Sequence, residues 1–167
     1  MAGAAFTLSP DGQKVAFYGV EESSVENRGL MVMNADGSDL QLLSHNMSGS
    51  YPASLVWSPD GRTIAFRADA WTPGTDVNDV PVDFQNMTIH LIDVATGEER
   101  PLLTDGSTGH IDPTWSPDGS QIAFASMRSG HSEIWVVNAD GTNLQQLTHH
   151  GQFARYPVWL KLPNPQP

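Results

Sequence analysis

Pro113-Thr114-Trp115-Ser116-Pro117-Asp118-Gly119 and the Ile122-Ala123-Phe124 behind it decide the fold, because the chain writes nearly the same words three times. The turn returns as Ser9-Pro10-Asp11-Gly12 and Ser58-Pro59-Asp60-Gly61, and the triplet as Val15-Ala16-Phe17 and Ile64-Ala65-Phe66. In that turn proline pre-sets φ, aspartate bonds the backbone ahead, and glycine takes the positive φ that closes a hairpin. Each hairpin is followed by a third apolar strand (Leu30–Met33, Ile89–Ile92, Ile134–Val137) and a second turn (Asn34–Gly37, Asp93–Gly97, Asn138–Gly141). A fourth strand completes each unit at Leu40–Ser44, Arg100–Thr104 and Leu144–Thr148. No stretch shows sustained helical periodicity.

Short strands at regular spacing also suit a sandwich. A self-similar unit recurring at roughly 40–50 residues is instead the signature of propeller blades. The expected fold is therefore all-β: about three four-stranded blades, at 4–44, 52–104 and 112–149, plus one C-terminal strand at 156–160. Tyr156-Pro157-Val158-Trp159 repeats the Pro-x-Trp of Pro113-Thr114-Trp115, and a Pro-rich tail occupies 163–167. Residues 1–162 then form one propeller segment, half of a six-bladed ring. The other half would come from a longer protein or from a second copy.

Composition narrows the function classes. With 19 Asp and Glu against 8 Lys and Arg, the formal charge of −11 repels phosphate backbones, so no nucleic-acid partner is expected. The chain has no cysteine, which removes disulfides, thiolate metal sites and cysteine nucleophiles. No apolar run reaches the roughly 20 residues of a membrane-spanning helix. Met1–Phe6 lacks a basic n-region and a long apolar core, so it is not a signal peptide.

The pattern Pro-x-Trp-Ser-Pro-Asp-Gly-x-x-Ile-Ala-Phe, followed by Asn-Ala-Asp-Gly and Leu-x-x-Leu-Thr, resembles the TolB-like β-propeller repeat from about Phe6 to Trp159. The resemblance implies a non-catalytic binding propeller of the periplasm, where TolB-type proteins serve the Tol–Pal envelope system through protein contacts. It also implies a runner-up, since similar propellers gate the active sites of prolyl-oligopeptidase-type serine peptidases. It further suggests that Tyr156–Trp159 is the strand by which such a ring closes onto its first blade.

The sequence offers little catalytic chemistry against that background. No Gly-x-Ser-x-Gly elbow, phosphate loop or His-Glu-x-x-His helix occurs. Ser9, Ser58 and Ser116, and Asp11, Asp60 and Asp118, are read as turn residues. Pro10, Gly12, Pro59, Gly61, Pro117 and Gly119 shape the same turns, while Trp57, Trp115 and Trp159 pack between blades. No catalytic residue, cofactor or metal is assigned. Asp76, Asn78, Asp79 and Asp83 lack calcium-loop spacing and read as a solvated acidic loop.

Binding residues are expected on the loops instead. The long insertion between Phe66 and Ile89 holds Trp71, Asp76, Asp79, Asp83 and Phe84. Its aromatics either cover a blade edge or anchor a partner. Blade topology puts this insertion on one face with His45, His110, His131, His149 and His150, five loop positions that seldom converge on one zinc ion. These residues form the expected contact surface for a protein or peptide partner carrying a basic patch. Self-association to complete the ring is a second expectation.

Overall fold

The computed structural model describes residues 6–20, 28–45, 54–68, 87–151 and 153–160. Trp71, Asp76, Asp79, Asp83 and Phe84 lie outside these residues. Among the described residues there is no helix, and twelve strands form three four-stranded antiparallel sheets, each in strict sequence order. The first blade holds β1 (Phe6–Leu8), β2 (Lys14–Val20), β3 (Arg28–Asn34) and β4 (Gln41–Ser44). The second holds β5 (Leu55–Trp57), β6 (Thr63–Ala68), β7 (Thr88–Asp93) and β8 (Glu99–Pro101). The third holds β9 (His110–Trp115), β10 (Gln121–Ser126), β11 (Glu133–Asn138) and β12 (Gln145–Gln146).

The repeated turn does the same work in each blade. The Ser9, Ser58 and Ser116 hydroxyls each donate to the Oδ1 of the aspartate two residues on, at 2.6 Å. Each also accepts the backbone N–H five residues on, at 2.9 Å. These bonds, with backbone N–H donors, hold the carboxyls of Asp11 and Asp60 below their ordinary range and that of Asp118 at about 2. The turns also touch one another. A Cβ on Gly61 would lie 3.7 Å from Pro10, and one on Gly119 3.6 Å from Pro59, so the proline of one blade stacks over the glycine of the next.

The core lies between the blades, because β6 and β7 of the middle blade carry buried apolar residues on both sides. Ile64, Phe66 and Ala68 face Ala16, Leu30 and Val32 of the first blade. Ala65, on the opposite side of β6, joins Ile89, Leu91 and Leu102 against Ile122, Phe124 and Val137 of the third. Trp57 packs in the first cluster and Trp115 against the second.

The outer strands are shorter than the sequence suggests. β12 stops at Gln146 because the Thr148 hydroxyl takes over the Ile134 N–H at 2.9 Å, so a side chain ends the ladder. Residues 156–160 pair with no described strand. They lie beside the third blade: the Trp159 indole donates to the Thr114 carbonyl (3.1 Å), as the Trp57 indole does to Thr7 (3.3 Å). In the first blade the innermost place is held by β1 rather than by this C-terminal segment.

Candidate functional site

Hairpin turns occupy one face of the blades, and the β10–β11 turn and the described stretches before β9 and after β12 lie at the other ends of the strands, on a second face. On that second face three polar devices stand close together around β9.

The first lies where the inner strands begin. Ser54, Asp112 and Tyr156 hold the same repeat position, three residues before Trp57, Trp115 and Trp159. Asp112 and Tyr156 both precede proline, which normally favours extended backbone, yet both have φ of 56°. This left-handed bend turns the Asp112 carboxylate sideways along the row of strands. The Ser54 hydroxyl donates to its Oδ1 at 2.9 Å, and Arg155 donates to Oδ2 at 2.9 Å from Nε and to Oδ1 at 3.4 Å from Nη2. Asp112 is buried and the Arg155 side chain is only 14% exposed. The Arg155 guanidinium in turn lies 4.7 Å from the ring centre of Tyr156 and 5.9 Å from that of Phe153. Those rings are 66% and 71% exposed. A buried ion pair thus holds two aromatic rings at the surface.

The second device is built on His110. Ser107 donates to the Asp105 carboxylate, so it accepts from His110 Nε2–H (3.0 Å). The other nitrogen of the neutral ring, Nδ1, then accepts from the Ser126 hydroxyl (2.9 Å), whose oxygen also accepts the Arg128 backbone N–H (3.2 Å). Arg128 closes the circuit on Asp105 at 2.5 Å. His110 is 2% exposed, with the Phe124 ring set edge-on at 5.4 Å. Burial and the nearby Arg128 charge depress its pKa to about 4, against the pull of Asp105. Asp105 itself is held well below the carboxylate range, chiefly by the Ser107 hydroxyl and backbone and by Arg128.

The third device anchors the chain after β12. Buried Glu133 accepts from the Thr148 hydroxyl and from the Gly151 N–H (2.7 Å), and its carboxyl is lowered first by Thr148. Ser132 and Ala154 exchange two bonds, at 2.7 and 2.8 Å. Together they fix the segment that carries Phe153, Arg155 and Tyr156.

Of the histidines expected on this face, His131, His149 and His150 are exposed. His110 is corrected: it is the first residue of β9 and buried, so it offers no surface contact. Sequence reasoning missed Ser54, Asp112, Arg155, the Ser107–Ser126 partners of His110, and Glu133. Ser107 and His110 are within nucleophile–base distance, but the serine proton is committed to Asp105 and no carboxylate orients the imidazole, unlike a hydrolytic triad. Among the described residues no three His, Asp or Glu are grouped to hold a metal ion.

Comparison with known proteins extends this picture. No protein-family model matches the chain. A putative TolB from Agrobacterium tumefaciens superposes with a TM-score of 0.66 and 27% identity, over 87% of this chain and 46% of that one. The three sheets match TolB-like propeller blades. TolB from Acinetobacter baumannii matches with a TM-score of 0.64 and 20% identity, over 88% of this chain and 32% of its own. In sequence, an uncharacterized protein of Agrobacterium fabrum is 27% identical over 159 residues, 95% of this chain and 46% of that protein. An uncharacterized peptidase of Bacillus subtilis is 29% identical over 104 residues, 62% of this chain and 15% of the peptidase. The chain therefore spans less than half the length of these relatives.

Proposed function

We propose that this chain is a non-catalytic binding segment of a TolB-like propeller, working in the periplasm or another extracytoplasmic space on a protein or peptide partner. The observation that carries the reading is the exposed Phe153–Tyr156 pair clamped by Arg155 and the buried Asp112. Aromatic residues and arginine dominate binding hot spots because they bring large contact area with few rotamers to freeze. A rigid scaffold that presents them on loops is the usual arrangement for recognition. His131, His149 and His150 border the same face, and the insertion with Trp71, Phe84, Asp76, Asp79 and Asp83 is assigned to it. The acidic insertion fits a partner with a basic patch and salt-sensitive association.

The likeness to the Bacillus subtilis peptidase favours one second reading, the gating propeller of a serine peptidase. An α/β-hydrolase domain encoded on the same polypeptide would decide for it.

The test is capture from native-host envelope extract with wild type, Trp71→Ala, Tyr156→Ala and Asp140→Ala as baits. The first two substitutions should each weaken capture by about 2 kcal/mol or more, and the last, on the hairpin face, should not. Capture that survives both aromatic changes while Trp71→Ala lowers the melting temperature would make Trp71 a structural cover and overturn the assignment.

A further inference from the structure

Between the second and third blades, on the hairpin side, lies a cleft of about 260 Å3. Leu91 and Trp115 give it apolar surface, Asp60 and Thr63 line it from the second blade, and Asp118 lines it from the third. Arg100 of β8 donates to the Ala139 carbonyl at 2.7 Å, so a guanidinium bridges the two walls. One difference within the repeat sets this joint apart. Lys14, Thr63 and Gln121 hold the same position, opposite Asn34, Asp93 and Asn138. Lys14 donates to Asn34 Oδ1 (3.1 Å) and Gln121 to Asn138 Oδ1 (3.4 Å), so a long side chain lies across each of those blades. Thr63 is too short to do the same, and space remains in front of it.

The groups around that space ask for both donors and acceptors. The Trp57 and Trp159 indoles donate to the Thr7 and Thr114 carbonyls, whereas the buried Trp115 Nε1–H has no acceptor among the described residues. Buried N–H groups are nearly always bonded, so this one calls for an acceptor. Asp60 and Asp118 call for donors. The Ser58 hydroxyl and the Arg62 N–H reach Asp60 through Oδ1, and the Ser116 hydroxyl and the Ser120 N–H reach Asp118 through Oδ1. Oδ2 of each carboxylate is left to accept. A cation would answer the carboxylates, but it would meet Arg100 and leave the indole unbonded. An anion would answer the indole and Arg100, but it would meet two carboxylates. Hydroxyl groups both donate and accept, and the C–H face of a sugar packs well on Trp115 and Leu91. The volume falls below the roughly 300–1,000 Å3 of drug-sized sites, which suits a single ring. We propose that this cleft binds one neutral sugar ring, its hydroxyls shared among Asp60, Asp118, Arg100 and the Trp115 indole. The site is independent of the loop-face reading. For protein partners the turns remain scaffold, because the cleft lies between them and admits only a small molecule.

The test uses the chain labelled with nitrogen-15, whose five tryptophans give five indole signals. Trp115→Phe identifies the signal of Trp115. D-glucose, D-galactose and N-acetyl-D-glucosamine are titrated, with D-galacturonate and glycine alongside. At least one neutral sugar should shift the Trp115 signal saturably. It should bind at least about tenfold more tightly than galacturonate, whose carboxylate meets Asp60 and Asp118. Thr63→Lys imports the residue that the first blade carries and should raise the sugar's Kd at least about tenfold, with the other indole signals in place. Trp115→Phe keeps an aromatic ring but loses the N–H, and saturation transfer to the sugar should show weaker binding there too. The proposal would be overturned by no saturable shift with any neutral sugar, or by unchanged binding in Thr63→Lys or Trp115→Phe. Galacturonate or glycine binding as tightly as the neutral sugar would also overturn it.

Discussion

Replacing His110 by glutamine should remove a defined part of the acid sensitivity of folding. In the folded chain Ser126, Ser107, Arg128, Asp105 and the Phe124 ring surround the imidazole, and its pKa falls from 6.5 to about 4. The unfolded chain therefore binds the proton first as pH drops. A base whose folded pKa is depressed contributes stability that is complete above the unfolded value and is lost as pH falls from 6.5 toward 4. At about 1.4 kcal/mol per pH unit, moving from pH 7.5 to 5 should cost the wild type roughly 2 kcal/mol through this one group. Urea unfolding followed by tryptophan fluorescence at several pH values measures it. Glutamine does not titrate, so the variant will be less stable at neutral pH but should lose about 2 kcal/mol less over the same interval. The other five histidines are shared and cancel in the difference. Parallel pH profiles for the two proteins would refute the closed circuit around His110.

Two comparisons probe the joints and the clamp. Gly37 and Gly141 both sit at φ +88°, but a Cβ at Gly141 would lie 2.6 Å from the Leu102 carbonyl of the neighbouring blade, whereas nothing lies within 4 Å of one at Gly37. Alanine at either should cost about 1 kcal/mol of backbone strain, and Gly141→Ala a further ~1–3 kcal/mol of crowding; equal losses in urea midpoints would contradict the blade contact. Asp112→Ala takes away the carboxylate paired with the largely buried Arg155 and should cost roughly 3 kcal/mol or more, part of which Arg155→Met should restore. A loss below about 1 kcal/mol would mean the pair is not an internal one.

The blades were legible because each repeats its own turn: serine, aspartate and glycine are local chemistry, and the bonds of Ser9, Ser58 and Ser116 depend on residues within five positions of each other. The Asp112 clamp was not, because its bonds join different blades. Asp112 meets Ser54 from 58 residues away and Arg155 from 43, through a left-handed bend before proline that local preference argues against. His110 was misplaced for a related reason. The sequence places the start of the third blade at 112, whereas β9 begins at His110 and extends ahead of the Pro-x-Trp motif, with a register shift between Ala123 and Ala125. That irregularity carries His110 opposite Ser126 and into the interior. Glu133 carries no local signal because its partners, Thr148 and Gly151, lie 15 and 18 residues on, in the connection leaving the blade.

The central claim is that partners are taken on the loop face and the hairpin turns serve only as scaffold. Photo-crosslinking in the native host tests it most directly, with the reactive residue placed in turn at His131, His149, Tyr156, Asp36 and Asp140. A discrete crosslinked protein from the first three positions and none from Asp36 or Asp140 is the expected result. Crosslinks that arise from Asp36 and Asp140 while the loop face stays silent would contradict the account.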